Sequence, residues 1–332
     1  MARPTRHVPR DSSRRRIWVY LAVAAFILID VLLIALALGS TRATNTTATQ
    51  TVAAMAATPA PTPTEVKPVG TSTPTPTAAA EATPIVAVPP TRILAAFDAK
   101  TAWRAETGTC PAAKASPELT TDAGKTWKAT DAAKNTEITA LQRIKVSGPR
   151  VASMIGFSKA TCAPQFVKTY VGGDTFKSYP KEVDGAWYVD PADRATVHSP
   201  SGDVKAPCAE VIALAPRDDN AAAALCADQT VSTTTNAAAV WSPAVAVPGA
   251  VNLAVTRKGY SITAVGLPEC AGVQLIALSA EFLTVKPTGC LPVHLPAETM
   301  PGIVAVSEAA GTLWLWAGNV FKRSSDGGTT WQ

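Results

Sequence analysis

The sequence predicts an all-β domain built from repeated blades, preceded by a single membrane-spanning helix and a disordered stalk. Three observations predict it. A turn phrase occurs twice in full, as Thr120-Thr121-Asp122-Ala123-Gly124-Lys125-Thr126-Trp127 and as Ser324-Ser325-Asp326-Gly327-Gly328-Thr329-Thr330-Trp331. Short apolar, β-rich segments recur between residues 91 and 332 with turn residues between them. A long apolar run, Ile17–Leu38, follows a basic N-terminus. Repetition of one supersecondary unit marks solenoids and propellers, and short strands spaced by turn residues mark an all-β domain.

The first 16 residues form a basic tail, expected in the cytoplasm. They carry Arg3, Arg6, Arg10, Arg14, Arg15 and Arg16 against Asp11, which accounts for the whole formal net charge of +5. Residues 17–38 are long enough to cross a bilayer as a helix. Arginines directly before such a run hold that end inside, so the expected topology is a single pass with the C-terminal domain extracellular. A cleaved signal peptide, with Ala35-x-Ala37 as its cleavage site, is the alternative, although signal h-regions are shorter. Asp30 lies within the run, where an ionisable group is a functional-site candidate or else faces a partner helix.

Residues 39–83 are rich in Thr, Ala and Pro, as in Thr58-Pro59-Ala60-Pro61-Thr62-Pro63-Thr64. Such a composition cannot build a packed core and favours an extended, disordered stalk. Residues 84–332 are the predicted domain. Its acidic and basic residues nearly balance, so it lacks the basic stripe that nucleic-acid binding needs. A membrane and an envelope protein or glycan are the expected partners.

Five segments read as inner strands of blades: Ile93–Phe97, Leu141–Val146, Val211–Leu214, Val251–Val255 and Gly302–Val306. Five blades are therefore expected, with six as the alternative. The stretch Trp187–Cys208 reads as a surface loop inserted between the second and third of them. Ile85-Val86-Ala87-Val88, bounded by prolines, is expected to pair beside the last blade and close the ring.

Within the repeated phrase each residue type suits a tight turn. Asp accepts hydrogen bonds from backbone N–H groups two residues on, and Ser and Thr do so more weakly. Gly supplies positive φ. Thr and Trp restart a strand, and the Trp can fill the layer between blades. The structural positions are thus Thr120, Asp122, Gly124, Thr126 and Trp127 in one copy, and Ser324, Asp326, Gly328, Thr330 and Trp331 in the other. Two worn copies share the frame: Thr169-x-Val171-x-Gly173-x-Thr175-Phe176 lacks the Asp, and Thr234-x-Asn236-x-Ala238-x-Val240-Trp241 keeps Asn but lacks the Gly.

The phrase resembles the Asp box, or BNR repeat, of sialidase-type β-propellers, where it joins the outer two strands of a blade and is structural. It also resembles box-bearing propellers that assist membrane-complex assembly, such as the photosystem assembly factor. The resemblance implies a propeller; the catalytic apparatus of the sialidases does not come with it. That apparatus is an arginine triad, a Tyr–Glu pair and an acidic proton donor, introduced by a Phe/Tyr-Arg-Ile-Pro motif. The nearest string here is Thr91-Arg92-Ile93-Leu94.

Six cysteines, Cys110, Cys162, Cys208, Cys226, Cys270 and Cys290, all follow the apolar run. An even number in an exported domain favours disulfides over metal or redox roles. Nearness in sequence favours Cys208–Cys226 and Cys270–Cys290. That leaves Cys110–Cys162, which would join equivalent places in adjacent blades.

The search for chemistry yields no catalytic, cofactor-binding or metal-ligating residue to name, and no cofactor is expected. Asp218-Asp219 reads as a hairpin turn. His198 and His294 are expected at the surface, and two histidines are few for a zinc site. Of Trp314-Leu315-Trp316, one indole should point to each face of its strand. The expected function is a noncatalytic binding or scaffold module, and the alternative is a sialidase-type extracellular glycoside hydrolase.

Overall fold

The structure, a computed structural model, describes residues 85–280 and 283–332. The basic tail, the apolar run Ile17–Leu38 and the stalk lie outside the described residues. Among the described residues no helix is long and apolar enough to cross a membrane.

Blade 1 comprises β1 (Arg92–Ala96), β2 (Ala102–Glu106), β3 (Glu118–Thr120) and β4 (Lys128–Ala129). Blade 2 comprises β5 (Ile138–Gly148), β6 (Val151–Ser158), β7 (Pro164–Thr169) and β8 (Lys177–Ser178). Blade 3 has three strands, β9 (Tyr188–Val189), β10 (Thr196–Ser199) and β11 (Gly202–Lys205). Blade 4 comprises β12 (Val211–Pro216), β13 (Ala222–Cys226), β14 (Thr230–Thr234) and β15 (Val245–Ala246). Blade 5 comprises β16 (Ala250–Thr256), β17 (Gly259–Val265), β18 (Gly272–Ser279) and β19 (Val285–Pro292). Blade 6 comprises β20 (Val304–Ala309), β21 (Thr312–Ala317) and β22 (Val320–Ser324). Each sheet is an antiparallel meander in chain order. The molecule is a six-bladed β-propeller.

An apolar cluster fills each seam between neighbouring blades. Trp103, Leu141 and Met154 join blades 1 and 2, Ile155, Phe157 and Tyr188 join blades 2 and 3, and Trp187, Val197 and Val211 join blades 3 and 4. Leu225, Leu253 and Ile262 join blades 4 and 5, Leu275, Leu291 and Leu315 join blades 5 and 6, and Leu94, Trp314 and Trp316 join blades 6 and 1. Burial of both sheet faces explains why the strands read as near-continuous apolar runs. Trp314 and Trp316 are both buried, so both belong to packing and neither lines a binding surface.

Six blades replace the five expected first. The stretch Trp187–Cys208 is blade 3 rather than an inserted loop. Its inner strand β9 has only two residues, too short for an apolar run to betray it. The next residues, Asp190 to Arg194, continue the blade's inner edge as an irregular segment held by Asp190 and Asp193 side chains. His198, expected at the surface, is stacked on Tyr188 with ring centroids 4.5 Å apart.

Ring closure also differs from the expectation. Residues 85–90 form no strand; Pro89 and Pro90 have no N–H to give a ladder. The segment works as a latch instead. Gln229 Nε2 donates to the Ile85 carbonyl at 2.5 Å, Ala87 is buried in the cluster between blades 4 and 5, and both the backbone N–H and the hydroxyl of Thr91 donate to the Gly302 carbonyl of blade 6. The seam between blades 6 and 1 carries further cross-links. Ala96 N–H donates to Ser307 Oγ at 2.9 Å, Trp314 Nε1 to the Asp98 carbonyl at 3.1 Å, and Arg92 to the carbonyls of Ile303 and Gly318.

The three disulfides fall as the spacing suggests: Cys110–Cys162, Cys208–Cys226 and Cys270–Cys290. The first ties the β2–β3 connection of blade 1 to the β6–β7 connection of blade 2, equivalent places in adjacent blades. The second ties blade 3 to blade 4, and the third lies within blade 5.

Candidate functional site

The ten residues of the two complete turn phrases lie between the third and fourth strand positions of blades 1 and 6, and none lines the propeller axis. Their geometry is that of a self-contained turn. Thr120 Oγ1 donates to Asp122 Oδ1 at 2.8 Å, and accepts from Gly124 N–H at 2.9 Å. Asp122 then accepts from the N–H and the hydroxyl of Thr126, at 2.9 and 2.6 Å. Ser324, Asp326, Gly328 and Thr330 repeat the pattern. In the worn copy Asn236 Oδ1 accepts from Thr234 Oγ1 and Val240 N–H, so the amide fills the carboxylate's place. The Thr126 hydroxyl and N–H, and then the Thr120 hydroxyl, hold Asp122 down at about 2. Thr330 and Ser324 do the same to Asp326. A carboxylate so stabilised as an anion makes a poor general acid.

Each turn leans on the preceding blade. Trp331 Nε1 donates to the Cys290 carbonyl of blade 5 at 2.9 Å, and Trp241 Nε1 to the Lys205 carbonyl of blade 3 at 3.2 Å. Trp127 of blade 1 meets Phe321 of blade 6 edge to face, with centroids 5.1 Å apart. Phe176 of blade 2 is buried against blade 1.

The cavity lies on the axis instead. The first strands of all six blades wall a channel of about 950 Å³. Ile93, Val146, Leu214 and Val255, half-buried, make much of the wall apolar, and Val88, Pro89 and Pro90 of the latch contribute to it. Four charged side chains line it: Arg92, Arg143, Arg194 and Glu308.

Three of the four have partners. Arg92 bonds the two blade 6 carbonyls and lies over the Trp316 ring at 4.3 Å. Arg194 Nε donates to the Val211 carbonyl at 2.8 Å and its Nη2 to Ile212 O at 3.1 Å. Burial lowers both guanidinium pKa values, with Glu106 and Glu210 opposing the shift. Glu308 faces Arg257 Nε at 3.9 Å.

Arg143 stands apart, since no hydrogen bond or ion pair holds it among the described residues. Burial alone pulls its guanidinium down to about 10, so it remains a cation at neutral pH. Local backbone explains its placement. The register of β5 against β6 slips between Thr139 and Arg143, and Ala140 within that slip has φ of +41°. Bulges of this kind bend a strand and re-aim side chains. The preceding residue, Gln142, bridges to blade 3. Its Nε2 donates to the Val189 carbonyl at 2.9 Å and its Oε1 accepts from Val189 N–H at 2.7 Å. The side chain thus supplies the pairing that the short β9 lacks.

Arg143, Arg194 and Gln142 were not singled out from the sequence as site residues. The available signal was the adjacent polar pair Gln142-Arg143 between Leu141 and Ile144 of an inner strand. Arg143 is half-buried, and arginine is mostly exposed or paired.

The class of protein defined here is a disulfide-linked six-bladed β-propeller with a cationic, largely apolar axial channel. A scan of protein-family models finds no match, and no curated protein matches the chain. Among solved structures, similarity extends to the GH74 xyloglucanase of Xanthomonas campestris, at 15% identity and a TM-score of 0.30 over 72% of this chain. The chain covers 37% of that enzyme. It is likewise similar to YCF48 of Cyanidioschyzon merolae, at 15% identity and a TM-score of 0.30, covering 74% of this chain and 86% of that one. AofleA of Arthrobotrys oligospora aligns at 8% identity and a TM-score of 0.44, over 74% and 86% of the two chains.

Proposed function

We propose that this protein is a membrane-anchored envelope protein whose propeller is a noncatalytic binding or scaffold module, with the axial channel as its ligand site. The observation that carries the reading is the channel itself: an apolar, walled space into which one cation is turned with no partner of its own. Pockets with apolar walls and few convergent polar groups are where ligands bind. The anchor is the run Ile17–Leu38 with its preceding arginines. Three disulfides support an exported domain. In this reading the repeated turns are Asp boxes that brace the blades, and the partner is an envelope protein or glycan.

Three arginines on the channel wall raise the hydrolase reading, because a sialidase grips its substrate carboxylate with three. Here Arg92 and Arg194 are engaged by backbone carbonyls, and the wall carries Glu308 but no tyrosine among the described residues. Crosslinking in intact cells tests the binding reading, comparing the natural chain with Ala192→Trp. Ala192 is exposed and lines the channel, so the indole obstructs it without entering a seam. Loss of a specific crosslinked partner in the variant is expected. An unchanged crosslinking pattern, or turnover of a fluorogenic glycoside panel by the purified chain, overturns the reading.

A further inference from the structure

We infer that the axial channel takes an organic carboxylate with an apolar body, anchored by Arg143. The inference rests on the channel being the ligand site and adds the chemical class of what fills it.

Four observations converge on Arg143. Arg143 is one of the residues that wall the channel and has no hydrogen bond or ion pair among the described residues, whereas the other two channel arginines already have acceptors within the protein. The fork of donors on an arginine matches a carboxylate in bidentate fashion. The strand that bears it is distorted beside it, with a register slip and a left-handed alanine at Ala140. Such strain persists where surroundings over-determine it, and it clusters at functional sites. The neighbouring Gln142 is locked to both backbone groups of Val189, so the strand carrying Arg143 is fixed against blade 3.

The remaining wall decides the rest of the ligand. Asn252 is occupied by the Val304 carbonyl at 2.8 Å, and Ser307 Oγ by the Ala96 N–H. Ile93, Val146, Leu214 and Val255, half-buried on the channel lining, present carbon. A small hydrated anion would leave those surfaces wet. A carboxylate on an alkyl or aryl body would bury them while pairing the guanidinium. Charge agrees, because three arginines face one glutamate along the wall.

The test uses the full-length chain, with octanoate as probe, octanol as its neutral counterpart and inorganic phosphate as the bare anion. Thermal melts and calorimetric titration are read for the natural protein and for Arg143→Met. Octanoate is expected to raise the Tm and to bind at least tenfold more tightly than octanol or phosphate. R143M is expected to lose at least tenfold in octanoate affinity. Its own Tm should stay level or rise, since an unpaired desolvated charge has been removed. A fall of several degrees instead assigns Arg143 a structural role and overturns the inference. So does octanoate binding by R143M at natural affinity, or octanol binding as tightly as octanoate. Phosphate matching octanoate refutes the apolar body. If all three probes fail while Ala192→Trp still abolishes partner crosslinking, the anion inference falls and the channel remains the binding site. If Ala192→Trp has no effect while octanoate binds through Arg143, the partner reading falls and the carboxylate site stands.

Discussion

Gly124 and Gly327 are matched by backbone and differ in surroundings, so alanine at each separates turn strain from blade packing. Gly124 has φ of +82° and Gly327 of +76°. The chain already tolerates alanine in this conformation: Ala123, at the position equivalent to Gly327, has φ of +70°, and Ala238, at the position equivalent to Gly124, has φ of +66°. A left-handed alanine costs about 1–2 kcal/mol, offset by about 0.4–1 kcal/mol from the stiffer unfolded chain. Gly327→Ala meets nothing within 4 Å and should therefore cost about 1 kcal/mol. At Gly124 the new Cβ would lie 2.5 Å from Phe321 Cε1. That ring is held between Trp127 and Trp314, with centroids 5.1 and 5.7 Å away, and Arg104 lies over Trp127 at 4.1 Å. Overpacking of this kind adds about 1–3 kcal/mol, giving about 3 kcal/mol for Gly124→Ala. For a domain of this size about 1 kcal/mol moves the Tm by about 2–4 °C. Circular-dichroism melts should then show Gly327→Ala falling by about 2–4 °C and Gly124→Ala by about 6–12 °C. A double-mutant cycle with Phe321→Leu should recover part of the difference. Equal losses at the two glycines would refute the claim that the turn glycine is there to admit the neighbouring blade.

Three further outcomes are expected. Replacing Cys110 and Cys162 by serine opens a loop of 52 residues and should cost about 4 kcal/mol on the chain-entropy scale, read as a shift in the denaturant midpoint; a loss below about 1 kcal/mol contradicts it. Gln142→Leu strands the N–H and C=O of Val189, a 2% exposed residue, and should cost about 2–4 kcal/mol with faster exchange of the Val189 amide; unchanged exchange means the bridge is not formed. Asp122 and Asp326 are held at about 2 against the ordinary 3.8. Their depressed pKa values mean stability that is present above about pH 4 and lost as the pH falls through 2. The double Asn variant should therefore lose less stability than the natural chain between pH 4 and pH 2, and parallel melting curves over that range would refute it.

The blades were legible wherever burial on both sheet faces produced a continuous apolar run. Four inner strands came close to that condition and were found, and Leu141–Val146 was found although Gln142, Arg143 and Lys145 interrupt it. The sixth, β9, did not: Tyr188-Val189 is followed at once by Asp190-Pro191, and its hydrogen bonding is completed by a side chain from blade 2. A strand whose partner groups come from a distant glutamine leaves no local pattern to read. The latch was located in the sequence and its role in closure anticipated, yet its mode was misread. A valine-rich tetrapeptide suggested a strand, whereas the flanking prolines and the burial of Ala87 alone produce a strap anchored at points.

The channel was illegible for a different reason. Inner strands of a propeller spend most of their side chains on the seams, and at Arg143 the backbone is irregular as well. The slip in β5 beside Arg143 depends on how Thr139 and Arg143 register against Phe157 and Ile155 across a sheet, which no local window reports. The turn phrases, by contrast, are local by construction: the hydrogen bonds made by the Thr120 hydroxyl and the Asp122 carboxylate span four residues or fewer. Local chemistry repeats visibly and braces the ring, while the unpaired arginine of the channel wall occurs once and depends on long-range pairing. For that reason the repeated motif marks the architecture, and the slip beside Arg143 marks the candidate site.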